Sequence, residues 1–501
     1  MRWRDFDALT LLPDAFFDAS RRVHFIGIGG IGMSALALAL HARGHIVSGS
    51  DATPGAMTRT LQEAGITCVA GHHADHLDLL QLPVEALIYG SAIAPDNPER
   101  VEAQRRAIPQ WHRAQLLAFF VNGAQVSIAV SGTHGKSTTS AMIAHILEKC
   151  GLNPTALLGA EYPPFGSNAR LGDPNLIVVE ADESDGSFTL LHPTIAVITN
   201  VEAEHLENYD DSESELWRAF KQFASQAKHN VVLNGDDAPL IERLDPKRTM
   251  PTFGSDNREA AVVASNIHYE DGLTVFDLDW GSAGLGEFRL GLPGKHNVMN
   301  ALAALTATDQ ETKMCSHAAW AGQKREGLND LLMDFGGVKR RFQRIGEANG
   351  VLIFDDYGHH PTEVRTTLET AREFLDRPIL AIFQPHRYSR TQQMGHEFGP
   401  SFEAADRVII TQLYSAFETP IEGVSGRIVF DSVAQSFPDK PLFYAANLDE
   451  ARRMTIEIAQ PGDAIVCLGA GDIATLGPLL LSDLQSASST NQPDSDEVRH
   501  I

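Results

Sequence analysis

Four cysteines in 501 residues, Cys68, Cys150, Cys315 and Cys467, lie far apart and never in C-x-x-C spacing. That excludes a disulfide framework and a cysteine zinc site, and fits a reduced, cytoplasmic compartment. No stretch approaches the ~18 consecutive apolar residues of a membrane span. The N-terminus also lacks a charged-then-apolar leader ending in small residues. These absences predict a soluble, uncleaved protein with no membrane insertion. Positive charge is scarce too, with 40 Lys and Arg against 65 Asp and Glu and a formal net charge of -25. A general nucleic-acid binder is therefore not expected, and any anion pocket must be built from a few focused basic residues. What is plentiful is apolar residues, 43% of the chain, enough at this length for about three domains.

The densest chemical signal is V-S-I-A-V-S-G-T-H-G-K-S-T-T from Val126, a β-branched run, a glycine-bracketed loop and then an apolar helical face. Gly132 and Gly135 let backbone N–H groups crowd a polyphosphate, and Thr133, His134 and Thr138 complete the loop. A helix starting near Ser137 offers its positive end. Lys136 can reach the β and γ oxygens, and the Ser137 hydroxyl can ligate Mg²⁺. Val130 stands where the general Walker pattern has glycine, so this is the shorter G-T-x-G-K-[ST]-T form. ATP is the expected ligand.

An earlier glycine turn, Gly27, Gly29 and Gly32 in G-x-G-x-x-G with Gly30 between them, follows the strand V-H-F-I and opens a small-residue helix. Asp51 ends the next strand, about 20 residues on, where a ribose-binding acid sits in dinucleotide folds. Taken alone, this segment reads as an NAD site. The alternation of strand and helix resumes at Val126 and again after Arg341. The expected fold class is α/β with three domains, each on a mainly parallel sheet: a Rossmann-like domain at 1–125, a P-loop-type ATP-binding domain at 126–341 and a Rossmann-like domain at 342–484. Residues 485–501 lack the apolar groups needed to offset ordering entropy and read as a mobile tail. Residues 250–292 are more strand-like and turn-rich.

Three further clusters stand at the ends of apolar strands. Glu180-Ala181-Asp182-Glu183-Ser184-Asp185 reads either as a solvated acidic turn or as oxygen ligands for Mg²⁺ beside the phosphate loop. His205, flanked by Glu202, Glu204 and Glu207, reads equally as an ordinary histidine or as part of a second metal site. Asp355 to Pro361 and Gln384 to Arg390 carry His359, His360, Arg387 and Arg390, a set able to grip a carboxylate or phosphate.

The strings G-I-G-G-I-G-M-S, S-G-T-H-G-K-S-T-T, E-A-D-E-S-D-G-S-F, G-K-H-N-V-M-N-A-L-A-A, G-V-K-R-R-F, D-D-Y-G-H-H-P-T-E and F-Q-P-H-R-Y-S-R-T, in this order from Val23 to about Leu476, resemble the Mur ligases of bacterial cell-wall synthesis. Ser184 and Tyr357 favour the alanine-adding branch over the one that recycles murein tripeptide. The resemblance implies an ATP-dependent amide ligase joining L-alanine to UDP-N-acetylmuramate through an acyl phosphate, with Mg²⁺ or Mn²⁺ and with homo-oligomer formation left open. It reassigns the first glycine turn, with Asp51 and Ser91, from NAD to the UDP-sugar. It also gives Lys136, Ser137, Glu180 and His205 to phosphate and metal, and Asn297 and Asn300 to adenine. Asp356 goes to ribose, Arg340 or Arg341 to the nucleotide, and His359, Arg387 and Arg390 to the amino acid or product. Three features depart from the family pattern: Glu204 and Glu207 stand for aspartates, Ser137 for threonine, and 308–334 match poorly.

Overall fold

The computed structural model describes residues 3–314 and 330–490, except 8, 81, 82, 246, 248, 282 and 417. Two compact units are present, Met1–Val338 and Lys339–Ile501. The first carries two sheets and the second carries one.

The N-terminal sheet has strands β1 (Arg22–Ile26), β2 (Ile46–Asp51), β3 (Thr67–Ala70), β4 (Ala86–Tyr89) and β5 (Gln110–His112), ordered 3-2-1-4-5 and parallel throughout. The order reverses between β1 and β4, so the loops that follow these two strands face one crevice. Helix α1 (Ile31–Ala42) starts directly after the glycine turn, and its Ala and Leu residues pack on the sheet.

One polar knot ties this domain together. Glu99, in helix α2 (Pro98–Arg105), is fully buried. It accepts from Ser50 Oγ at 2.7 Å and meets His76 Nδ1 at 2.8 Å, His24 Nε2 at 3.4 Å and His72 Nδ1 at 3.6 Å. Burial alone would raise its pKa, but His24, Ser50 and His76 outweigh burial and hold it at about 2. A carboxyl depressed in the fold stabilises it above the ordinary value, and that stability is lost as pH falls through the depressed one. Thermal melts should therefore weaken between about pH 4.5 and 2. Glu99→Gln is expected to cost about 3 kcal/mol at neutral pH and to flatten that acid limb. A variant with the wild-type acid profile would show that the knot is energetically idle.

The central sheet contains β6 (Val126–Ser131), β7 (Pro154–Tyr162), β8 (Ser167–Arg170), β9 (Asp173–Glu180), β10 (Ile195–Ile198), β11 (Asn230–Asn234), β12 (Thr252–Gly254), β13 (Val262–Glu270), β14 (Leu273–Trp280) and β15 (Ala283–Leu290). Its order is 15-14-13-12-11-10-6-9-7-8. The stretch from β13 to β7 is parallel, and the turn-rich 250–292 segment becomes the antiparallel β13–β14–β15 flap. β6 is buried along its whole length because it lies mid-sheet with helices to cover it, which is why its sequence is a continuous apolar run. Helices α3 (Lys136–Lys149) and α4 (Lys295–Met314) pack against one another beneath it.

The second unit has β16 (Gln343–Ala348), β17 (Val351–Asp356), β18 (Ile379–Phe383), β19 (Arg407–Thr411), β20 (Leu442–Ala445) and β21 (Ala464–Leu468), ordered 16-17-21-18-19-20. Only β16 is antiparallel. The final helix, α5 (Leu476–Thr490), runs past the boundary at 484 into the segment read as a mobile tail. Its apolar first turns are anchored in the core, and Ser486 Oγ donates to Ser482 O at 2.8 Å. The rest of that tail, 491–501, lies outside the described residues, as does 315–329 of the poorly matching segment. No helix among the described residues is long and apolar enough to cross a membrane.

Candidate active site

β6 ends in the phosphate loop at the switch point of the central sheet, flanked by the loops after β9 and β10. Gly132 has φ +126°, and a Cβ there would lie 2.2 Å from Thr199 Oγ1 and 2.9 Å from Asn200 O. Only glycine fits such a position. The loop after β10 laces the phosphate loop in place. Thr133 N donates to Asn200 O (3.1 Å) and His134 N to Asn200 Oδ1 (2.8 Å), while Thr199 Oγ1 donates to His134 O (2.6 Å). Gly135, φ +83°, sits against Asn300, whose Oδ1 would be 2.4 Å from a Cβ. Asn300 also accepts from Thr139 Oγ1 (3.2 Å) and donates to Asn297 Oδ1 (3.2 Å). The two asparagines assigned to adenine therefore also back the loop.

The acidic turn after β9 is a set of directed contacts rather than a solvated surface. Ser137 Oγ donates to Glu180 Oε2 at 2.6 Å, and Gly159 N approaches the same oxygen at 3.2 Å. Lys136 Nζ lies 2.9 Å from Glu183 Oε2 and also donates to Gly132 O (2.7 Å) and Thr133 O (3.0 Å). Burial works against charge on Lys136, but Glu183, Asp182 and Glu180 outweigh it and raise its pKa, so the ammonium persists. Burial raises Glu183 above the usual carboxylate range, with Lys136 pulling the other way. A hydroxyl and a carboxylate 2.6 Å apart at the phosphate loop form the oxygen donor set that suits Mg²⁺. His205 has left-handed backbone, φ 55°, and its ring faces Glu204 (3.6 Å) and Glu207 (3.7 Å), the two residues that depart from the family pattern.

In the N-terminal domain Gly27 takes φ +76°, and Gly27 N and Ile28 N both donate to Ser50 O. Asp51 Oδ2 accepts from Gly29 N at 2.9 Å and Oδ1 from Thr53 N at 2.9 Å, so the expected ribose acid also fixes the turn. Ser91, after β4, donates to Asp185 Oδ2 at 2.7 Å and meets His112 Nε2 at 2.9 Å. Arg113 reaches Asp185 at 3.0 Å and Asp182 at 3.7 Å, close to Gly32. Burial, then Arg113, lowers His112 to about 4, so its imidazole is neutral. Sequence reasoning singled out neither Arg113, His112 nor Gly159. Their signal is contact with residues distant in the chain, 21 positions for His112 with Ser91 and for Gly159 with Glu180 and 72 for Arg113 with Asp185, which no local pattern carries.

In the second unit His359 stands in the loop after β17, His386 and Arg387 in the loop after β18, and Arg390 in the short helix Tyr388–Met394 that follows. The His359 and His386 rings meet edge-on with centroids 5.7 Å apart. Burial, with Arg390 beside it, holds His359 near 3 despite Glu363, and burial with Arg390 and Arg387 holds His386 at about 4. Two neutral imidazoles thus stand beside two guanidinium groups, side chains of the kind that suit an anion. Arg387 itself has φ +70°, a backbone strain stored where a side chain must be aimed. Asp356 is buried and accepts from Phe342 N (2.6 Å) and Gly358 N (2.7 Å). Arg340 is engaged by Asp355 (3.2 Å) and Gly469 O, while Arg341 faces Glu363 at 3.5 Å.

Three family models match in succession: "Mur ligase family, catalytic domain" over residues 22–125, "Mur ligase middle domain" over 130–308 and "Mur ligase, glutamate ligase domain" over 340–471. A UDP-N-acetylmuramate–L-alanine ligase of Pelotomaculum thermopropionicum is 40% identical over 471 residues, covering 93% of this chain and 98% of its own. One of Gloeobacter violaceus is 42% identical, covering 91% and 95%. The crystal structure of UDP-N-acetylmuramate-alanine ligase from Thermotoga maritima aligns with a TM-score of 0.77 at 29% identity, over 93% of this chain and 100% of that one. With the phosphate loop, the acidic turn and the sheet order all in place, this near full-length likeness means that the chain belongs to the Mur ligase family.

Proposed function

We propose that this protein joins L-alanine to UDP-N-acetylmuramate at the expense of ATP, the first amino-acid addition in peptidoglycan precursor synthesis. The observation that carries the reading is the Lys136, Ser137 and Glu180 constellation at the switch point of the central sheet, in a chain similar over its length to alanine-adding ligases.

A lactyl carboxylate oxygen of the muramyl group attacks the γ-phosphorus, the bond to the β,γ-bridging oxygen breaks, and ADP leaves. The product is an acyl phosphate. The alanine nitrogen then attacks the acyl carbon, and the tetrahedral intermediate expels inorganic phosphate and loses a proton to give the amide. Both steps concentrate negative charge, so the work of the protein is preorganised electrostatics. Lys136 and the loop N–H groups take the transferring phosphoryl group. Magnesium, when held by Ser137 and Glu180 with His205 assigned by family likeness, would neutralise phosphate charge. Gly27 to Gly32, Asp51 and Ser91 receive the UDP-sugar. His359, Arg387 and Arg390 receive the amino acid, the arginines by forked bonds to its carboxylate.

Phosphate release should require UDP-N-acetylmuramate and L-alanine together. With ¹⁸O in the lactyl carboxylate, one labelled oxygen should appear in the released phosphate. Release of unlabelled pyrophosphate together with AMP that carries the labelled oxygen would overturn the acyl-phosphate route in favour of adenylation.

A further inference from the structure

The three donors of the Lys136 ammonium all meet acceptors of the protein itself. Two go to carbonyls of its own loop, Gly132 O at 2.7 Å and Thr133 O at 3.0 Å, and the third faces the Glu183 carboxylate at 2.9 to 3.1 Å. Both side chains are nearly excluded from solvent, 14% and 6% exposed. Glu183 is itself held in place. Its carbonyl accepts from the hydroxyl of Tyr209, a fully buried ring, and Asn208 Nδ2 donates to the next carbonyl, Ser184 O, at 2.9 Å. On the other side Arg113 holds Asp182 and Asp185. The backbone that carries the carboxylate is therefore fixed on both sides.

We propose that Glu183 is a positioning residue for Lys136. It holds the ammonium over the loop, and polyphosphate must compete with that pair for the lysine. This rests on the ATP-dependent reading above and adds a specific consequence: Glu183 weakens ground-state nucleotide binding and keeps the lysine aimed for the phosphoryl transfer. Glu183→Gln keeps the shape and an acceptor oxygen but removes the charge. A lysine released from its partner should then bind polyphosphate in the ground state more tightly and less productively.

The expected result is an Mg-ADP dissociation constant about 5- to 10-fold lower by calorimetry, with the KM for ATP lowered and kcat reduced at least about tenfold. Glu183→Asp, which retains the charge, should recover most of kcat. In a Lys136→Ala background Glu183→Gln should leave Mg-ADP affinity unchanged, because the lysine through which it acts is gone. Should Glu183→Gln fold poorly, Tyr209→Phe keeps the carboxylate but frees its backbone anchor, and is expected to tighten Mg-ADP binding about twofold. Unchanged or weaker Mg-ADP binding by folded Glu183→Gln, or by Tyr209→Phe where it stands in, overturns the proposal. So does an equal effect with and without Lys136, which would mean direct repulsion of phosphate. Failure of the wild-type protein to turn over ATP would instead sink the functional reading, so the two failures are distinct.

Discussion

Lys136→Ala is expected to lower the rate of ATP-dependent amide formation by about 10³-fold, because it removes a fixed positive charge aimed at the transferring phosphoryl group. The sequence alone presents this lysine as a charge on a loop, dispensable for folding. The structure adds a second effect. Removing the ammonium leaves the Glu183 carboxylate buried opposite nothing, a loss of the kind that costs about 3 kcal/mol of stability. The double variant Lys136→Ala/Glu183→Gln should therefore melt closer to wild type than Lys136→Ala does, yet remain as inactive. Turnover near the wild-type rate in either variant would remove Lys136 from the chemistry.

Gly159→Ala is expected to damage metal use nearly as much as loss of Glu180. A Cβ at 159 would stand 2.2 to 2.4 Å from the three atoms of the Glu180 carboxyl group. The backbone of β7 need not move, because the obstructed atoms are the end of a flexible side chain. Glu180 moves instead, and Ser137 loses its 2.6 Å partner. The Mg²⁺ concentration giving half-maximal activity should rise about 10- to 100-fold, the usual scale for disturbing a supporting contact in a metal site. Glu180→Ala should match or exceed it. Measured as initial rate against free Mg²⁺ at saturating substrates, a wild-type curve for Gly159→Ala would show that Glu180 holds no metal there.

The strands that carry the sites were legible in the sequence because each is a short apolar run bounded by turn residues. Val126–Ser131, the β-branched run read before the phosphate loop, is such a strand, β6. The phosphate loop was equally legible, since its glycines, lysine and serine are contiguous and their conformational needs are local. Lys136 and Ser137 announce themselves at the start of a helix, and Glu180 and Glu183 at the end of a strand. Their pairing does not, because Glu180 and Glu183 lie more than 40 positions along the chain from the loop.

By itself, then, the sequence determined the α/β class, the three sheets, the phosphate loop and the family, all encoded in periodicity or in adjacent residues. Tertiary structure alone decided which carboxylate of the acidic turn meets which partner: Glu180 to Ser137, Glu183 to Lys136, Asp185 to Ser91 and Arg113. It also decided that Gly159 must be glycine and that Asn300 backs Gly135. The physical reason is that strand order, not sequence order, sets these neighbours. β6 lies between β9 and β10 in the sheet, so residues far apart in the chain share one switch point, and their charges and burial exist only once that sheet has formed.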